Sequence, residues 1–381
     1  GGEGKDPGPD PNPKGNVNKA ARAEGRAFGA MSVEEQFDTG YAGMNAFALA
    51  LYPYLSKAPK NVCYSPTSLY LVLTMAYAGA RSETAREMAA VLHLPAGPSD
   101  DADLHFTLSE ISRRLSSTPR EPYEASIANA VWPQMGLPPN DYFVTLIEEH
   151  YKARFQALDY SQHEEAAGII NRWTAERTND RIPQLLDPGV VGPGTLLVLT
   201  NAVYFKAEWE RQFNVAVTQN DAFWVTPDTS VTVPMMYQTV RCRYFENDAL
   251  QALEMDYRGD YVMTVLLPKT HDGLPDIEGD LGGYLETSLA GLQEREVNVY
   301  LPRFQFDVAY DKLKDTLAAM GMPSAFQAGI ADFSGILGEP GDIQIDYAVQ
   351  KAFIYVYEEG TEAAAASALV FGGLSVGDEE A

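Results

Sequence analysis

Basic residues are scarce. Among 381 residues there are 28 Lys and Arg against 53 Asp and Glu, a formal net charge of −25. A chain this acidic does not depend on wrapping nucleic-acid phosphates or anionic lipid, so nucleic acid is excluded as an expected partner. Cysteine is scarcer still: Cys63 and Cys242 are the only two, too few for a disulfide framework. They fit a cytosolic protein or an exported bacterial one. Every candidate apolar run is interrupted by Gly, Thr or Pro before it could span a bilayer. No N-x-[ST] sequon occurs. The chain opens on Gly1 rather than Met, which reads as a processed or trimmed product, and it shows no secretory signal pattern.

Catalytic signatures are equally thin. His93, His105, His150, His163 and His271 form no H-E-x-x-H, and no C-x-x-C occurs, so metal-ligand spacing is absent and no metal or cofactor is expected. His163-Glu164-Glu165 reads as a solvated helix edge. Gly373-Leu374-Ser375-Val376-Gly377 fits G-x-S-x-G, but that chemistry needs an acid and a His later in the chain, and none follows. Cys63 sits between apolar residues and reads as core filler; Cys242, between Arg241 and Arg243, reads as facing inward from a strand. No catalytic residue is expected, and an enzyme is disfavoured.

What is present is a large apolar complement. Hydrophobic residues make up 45% of the chain and aromatics 11%, enough for a substantial packed core. Residues 1–26 stand apart: Gly, Pro, Asp and Asn without an apolar anchor read as a flexible leader or tether. Ser32 to Glu35 is a capping box opening a helix that Pro53 should kink or shorten. Ser65-Pro66 caps a second, all-round apolar helix ended by Gly79. Thr84 to Glu87 reads as a further capping box, and residues 166–186 as a helical pattern broken at Pro183. Residues 196–205, 262–268, 297–302, 343–345 and 352–357 read as strands, and 311–321 as a short helix. Helices early and strands late indicate α+β.

One stretch is not an ordinary loop. Glu358-Glu359-Gly360-Thr361-Glu362-Ala363-Ala364-Ala365-Ala366-Ser367-Ala368 follows the strand-like 352–357. As a helix it would have no apolar face to bury. At period two, one face carries Thr361, Ala363, Ala365, Ser367, Leu369 and Phe371, and the other Glu362, Ala364, Ala366 and Ala368. Small inward residues let a strand slip between existing strands without overpacking. Gly360 supplies a hinge with free φ.

That segment resembles the reactive-loop hinge of the serpin family of serine protease inhibitors. NVCYSPTS (61–68), Gly79-Ala80-Arg81 with Thr84, Asn171 with Trp173, Thr178 and Ile182, and TNAVYFKAEWERQF (200–213) resemble its other motifs. VPMM (233–236), LPRF (301–304), LKDTLAAMGM (313–322) and ADFSGI (331–336) follow in the family's order. The resemblance runs from about residue 40 to Ser375.

The resemblance implies helices packed around a large central mixed β-sheet with smaller sheets, forming one domain over 27–381 with a reactive-centre loop at 358–381. It implies a suicide-substrate inhibitor: a target serine protease attacks the loop and forms an acyl-enzyme, and the hinge then inserts into the sheet and traps it. The hinge residues are Glu358, Glu359, Gly360, Thr361, Glu362, Ala363, Ala364, Ala365 and Ala366. The family usually counts seventeen residues from the first hinge Glu, which places the reactive bond at Leu374–Ser375 and suits chymotrypsin-, elastase- or subtilisin-like proteases. Residues 352–381 hold no Lys or Arg, which disfavours a trypsin-like target. Sheet opening is implied for Ser65, Ser68, Asn201, Trp209 and Gln350. Gln350 stands where the family usually has His in a buried hydrogen-bond cluster. Asp100, Asp101 and Asp103 occupy a region lacking a basic patch, so no heparin-like polyanion is expected. The family continues into three further strands beyond this loop. Their absence suggests a cleaved monomer with its loop inserted and its C-terminal fragment held as a separate chain. The tether and the missing sequons suggest an extracellular or cell-surface protein of bacterial export. The alternative is a non-inhibitory serpin-fold binding or surface protein, against which Glu359, Gly360 and the small hinge residues argue.

Overall fold

The computed structural model describes residues 28–95, 97–117 and 122–373. The 1–26 leader, Leu374, Ser375 and the tail beyond them lie outside the described residues. Phe28 and Met31 are already buried, so the packed body begins a few residues before Ser32.

Nine α-helices occur among the described residues: α1 (Val33–Leu55), α2 (Pro66–Gly79), α3 (Ser82–Val91), α4 (Ala102–Arg114), α5 (Asp141–Tyr151), α6 (His163–Arg177), α7 (Leu274–Gly279), α8 (Leu281–Gly291) and α9 (Leu313–Met320). Ser32 and Glu35 form the expected reciprocal cap: the Glu35 amide donates to Ser32 Oγ at 3.3 Å and the Ser32 amide to Glu35 Oε2 at 2.9 Å. Pro53 falls in the last turn of α1, which ends two residues later. Ser65 Oγ caps α2 by accepting the Ser68 amide at 3.2 Å. Gly79 ends α2, and its missing side chain makes room for Ile336, whose Cγ1 would lie 2.0 Å from an added Cβ.

Two local expectations do not hold. Helix α3 starts at Ser82, and Thr84 and Glu87 do not cap it. Thr84 Oγ1 accepts the Asp332 amide at 3.0 Å, and Glu87 Oε2 accepts the Ser324 amide and hydroxyl at 2.9 and 2.6 Å. Tertiary donors have taken side chains that pattern assigns to a local cap. Helix α6 ends at Arg177, well before Pro183, because Asn179 and Asp180 turn left-handed with φ of 46° and 58°.

The strands are β1 (Tyr123–Pro133), β2 (Arg154–Phe155), β3 (Thr195–Glu208), β4 (Gln219–Thr226), β5 (Thr229–Glu246), β6 (Leu250–Asp256), β7 (Val262–Pro268), β8 (Gln293–Pro302), β9 (Phe304–Tyr310), β10 (Ile343–Val356) and β11 (Gly360–Gly373). The large sheet runs β2-β1-β3-β11-β10-β9, with only β1–β2 parallel. The second sheet runs β4-β5-β6-β7, with β8 also paired to β5. The segments 343–345 and 352–357 belong to one strand, β10, with an irregularity between Ile345 and Tyr347. Strand β1, missing from the sequence reading, alternates only in its first half and is buried at every position from Asn129 to Pro133.

One core cluster joins α1, α2, α4 and α5 to the inner face of the large sheet. Another fills the space between α6 and the opposite face. His105 ties α4 to its neighbours. Its Nε2 donates to the Ser99 carbonyl at 2.8 Å, which leaves Nδ1 to accept the Tyr151 hydroxyl at 2.7 Å. Burial lowers its pKa to about 4. The unfolded chain binds that proton near about 6.5. Between these values the unfolded state holds more protons, so stability should fall as pH drops from about 6.5 towards about 4. Thermal unfolding scanned across that range should show the loss, and His105→Gln should flatten it. An equally steep curve for the variant would assign the loss to other groups.

Candidate functional site

Strand β11 is the hinge segment, standing in the middle of the large sheet. Chain connectivity puts it there through a two-residue reversal. The Tyr357 amide donates to the Gly360 carbonyl at 3.0 Å, and the Gly360 amide to the Tyr357 carbonyl at 3.2 Å, with Glu358 and Glu359 between them. From there β11 pairs antiparallel with β10 on one side (Val356↔Thr361 to Ile343↔Gly373) and with β3 on the other (Gly360↔Glu208 to Gly372↔Thr195). Its backbone donors and acceptors therefore find partners along both edges.

Both faces of β11 are covered, which explains the small residues. Ala364, Ala366, Ala368 and Val370 pack with Ile170 and Trp173 of α6 and with Trp132. Leu369 and Phe371 join the core that contains α2, where Phe371 meets Phe333 edge-on at 5.1 Å. Ala363 and Ala365 border a cavity of about 400 Å³ that Cys63, Tyr257 and Met263 also line. Burial pushes the Cys63 thiol up to about 11, which leaves little thiolate at neutral pH and fits a packing role. Within the inserted strand Gly360 does not use the free φ expected of a hinge. It lies outside the left-handed region, and it is glycine because an added Cβ would sit 2.0 Å from the Ala207 carbonyl oxygen. Gly372 is likewise part of the strand: an added Cβ would sit 1.8 Å from Asp346 Oδ2.

At the hinge end, Trp209 stacks on Tyr257 at 4.3 Å and donates its indole N–H to the Tyr357 carbonyl at 2.9 Å. The Tyr257 hydroxyl donates to Thr361 Oγ1 at 2.7 Å. The Trp209 and Phe213 amides donate to the Glu359 and Glu358 carbonyls, each at 2.9 Å. The buried Glu358 carboxylate accepts from Thr218 Oγ1 at 2.8 Å and Arg303 Nη1 at 3.4 Å.

Midway along the strand, Ser367 sits in register between Gln350 of β10 and Asn201 of β3. Gln350 Oε1 accepts the Ser65 amide at 3.0 Å, and its Nε2 donates to the Ser65 carbonyl and to Ser367 Oγ, both at 2.9 Å. Ser68 Oγ and Ser367 Oγ are 3.0 Å apart. Gln350 thus satisfies both halves of its amide. Asn201 does not join this cluster. The inserted strand separates it from Gln350, and its Nδ2 donates instead to Asn129 Oδ1 at 2.8 Å. Trp209 lies with the hinge-end group, at the end of the large sheet where β11 begins.

Glu362, expected on an outer face, is buried, its side chain 7% exposed. Arg181 grips it with two bonds, Nε to Oε1 at 2.9 Å and Nη2 to Oε2 at 2.5 Å, and the Tyr204 hydroxyl donates to Oε1 at 2.8 Å. Burial alone would raise the Glu362 carboxyl, but the bonds from Arg181 and Tyr204 outweigh it and hold the group below the usual carboxylate range. Arg181, Tyr204, Tyr257 and Ser367 carry no role in the sequence reading. The signals available were the one hydroxyl in the alanine run and the one charge, which needs a cation once buried.

The Serpin (serine protease inhibitor) family profile matches residues 42–380. An uncharacterized serpin-like protein of Thermococcus kodakarensis is 41% identical over 331 residues, covering 86% of this chain and 75% of that protein. Serpin B3 of Homo sapiens is 34% identical over 344 residues, 85% of this chain and 87% of that protein. The solved structure titled Cleaved Serpin 42Da superposes with a TM-score of 0.82 at 30% identity, covering 88% of this chain and 91% of that one. The chain belongs to the serpin family, with the α+β serpin fold.

Replacing Gln350 with Leu should strip a partner from the half-buried Ser65 amide and carbonyl and from the buried Ser367 hydroxyl, at up to about 1–3 kcal/mol for a buried group left unpaired. Thermal unfolding of the loop-inserted form should drop by several degrees. An unchanged midpoint would mean that the Gln350 cluster contributes nothing to holding the inserted strand.

Proposed function

We propose that this chain is a suicide-substrate inhibitor of serine proteases. The observation that carries the proposal is β11 itself: a hinge segment, small on both faces, seated as a central strand between β3 and β10. The protease's serine oxygen attacks the Leu374 carbonyl, the Ser375 amine leaves, and the acylated hinge side is freed. Insertion then gives the released backbone two ladders of hydrogen bonds and buries Leu369, Val370 and Phe371, each worth about 1.5–3 kcal/mol on full burial. That gain opposes return of the protease to an active geometry. The inhibitor is consumed, so the chain needs no catalytic group of its own.

Leu374 lies at the seventeenth position from Glu358, and an apolar residue there supports a chymotrypsin-, elastase- or subtilisin-like target. A polyanion has no part in the proposed mechanism. From the composition of residues 1–26 and the missing N-x-[ST] sequons we also propose a place outside the cell or tethered to its surface, with one domain from residue 27 onward. Non-inhibitory serpins keep the fold without the trap. Residues that fit a tight inserted strand, Gly360 above all, favour the trap here.

Mixing the protein with chymotrypsin or elastase should give a covalent band that survives SDS, and mass spectrometry should find a released peptide starting at Ser375. Thr361→Arg should turn the inhibitor into a plain substrate, because position 361 is 3% exposed and faces Tyr257. Cleaved inhibitor beside fully active protease from the unaltered chain would overturn the proposal. Trapping that survives Thr361→Arg would remove insertion as its cause.

A further inference from the structure

Glu362 is the third residue of β11 and the one charge on its α6-facing side, where Ala364, Ala366, Ala368 and Val370 follow. Because β11 is joined to β10 through the tight turn at 357–360, residues nearest Gly360 are the first that can enter between β3 and β10. A carboxylate moving alone into that space would lose its hydration without compensation, which is strongly unfavourable in the absence of a partner.

The turn that carries the partner is held by bonds of its own. Arg181 lies in the turn after α6. That turn is held by the Asp180 amide on the Ala175 carbonyl at 2.9 Å, the Arg181 amide on the Thr178 carbonyl at 2.9 Å, and the Ile182 amide on Thr178 Oγ1 at 3.1 Å. None of these bonds uses β11. The guanidinium is also positioned over the Phe353 ring of β10, 5.0 Å from its centre. It remains 40% exposed while Glu362 is 7% exposed, so the cation sits at the lip of the sheet and the carboxylate beneath it. A planar fork offering two donors suits capture of an incoming carboxylate. Lys206, in register with Glu362 on β3, adds a weaker attraction.

We propose that Arg181 is a positioning residue for loop insertion: it captures Glu362 as the first buried charge of the incoming strand and so commits the hinge to the sheet. Capture speeds insertion relative to deacylation, and the ratio of those two rates sets how many inhibitor molecules are spent per protease trapped. The role rests on the inhibitory function proposed above.

The test compares the unaltered chain, Arg181→Ala, Arg181→Lys and the double variant Arg181→Glu with Glu362→Arg. Each is assayed with chymotrypsin for inhibitor consumed per protease trapped, and by thermal unfolding with the loop intact and after the loop is nicked. Arg181→Ala should raise the consumption several-fold. It should lower the unfolding temperature of the nicked form by several degrees and leave the intact form unchanged. Arg181→Lys should recover part of both effects, and the charge-reversed pair should recover most of the nicked form's stability. Equal destabilisation of intact and nicked forms, or the same loss from Arg181→Ala when residue 362 is already Ala, would overturn the proposal. If the unaltered chain traps no protease, the inhibitory function fails instead, and the intact-against-nicked comparison still decides whether Arg181 holds the inserted strand.

Discussion

The two hydrogen-bond ladders that flank β11 hold the rest of the structure in place. With the segment inserted, strands β3 and β10 are not neighbours; each pairs with the hinge segment, which joins the two halves of the large sheet. A backbone strand supplies donors and acceptors to both sides at once, which no side-chain contact could replace. The side chains then have one task, to fit a space already bounded by α2 and α6.

That fit explains the composition of residues 360–373. Alanines face α6 so that Ile170, Trp173 and Trp132 can close over the sheet. Larger side chains come only at the far end of the strand, Leu369 and Phe371 in the core that contains α2 and Val370 on the α6 side. Polar residues recur at three levels along the strand, and each meets prepared partners: Thr361 with Tyr257, Glu362 with Arg181 and Tyr204, and Ser367 with Gln350 and Ser68. Buried polar groups satisfied in this way fix the register, since a slip by one residue would orphan all three sets.

Much of this was legible in the sequence. Period-two alternation with alanine on both faces gave the inserted strand, and ordered motifs gave the family and the α+β fold. Gln350, Ser65 and Ser68 came through the family resemblance. What local pattern could not reach was pairing across the chain. Arg181 is 181 residues from Glu362, Thr84 and Glu87 look like a cap until residues 324–332 are folded against them, and β1 is buried too evenly to alternate. Asn201 was grouped with Gln350 because the resemblance places them together; in this structure Ser367 stands between them. Gly360 was assigned conformational freedom, whereas close approach to Ala207 is what excludes a side chain there.

The central claim is that residues 361–370 change from an exposed loop to a buried central strand when the loop is cut. Amide hydrogen exchange on peptides covering that segment, before and after nicking, tests it most directly. The account predicts fast exchange in the intact protein and strong protection after nicking, comparable to that of β3 and β10. Equal protection in both states, or rapid exchange in both, would contradict it.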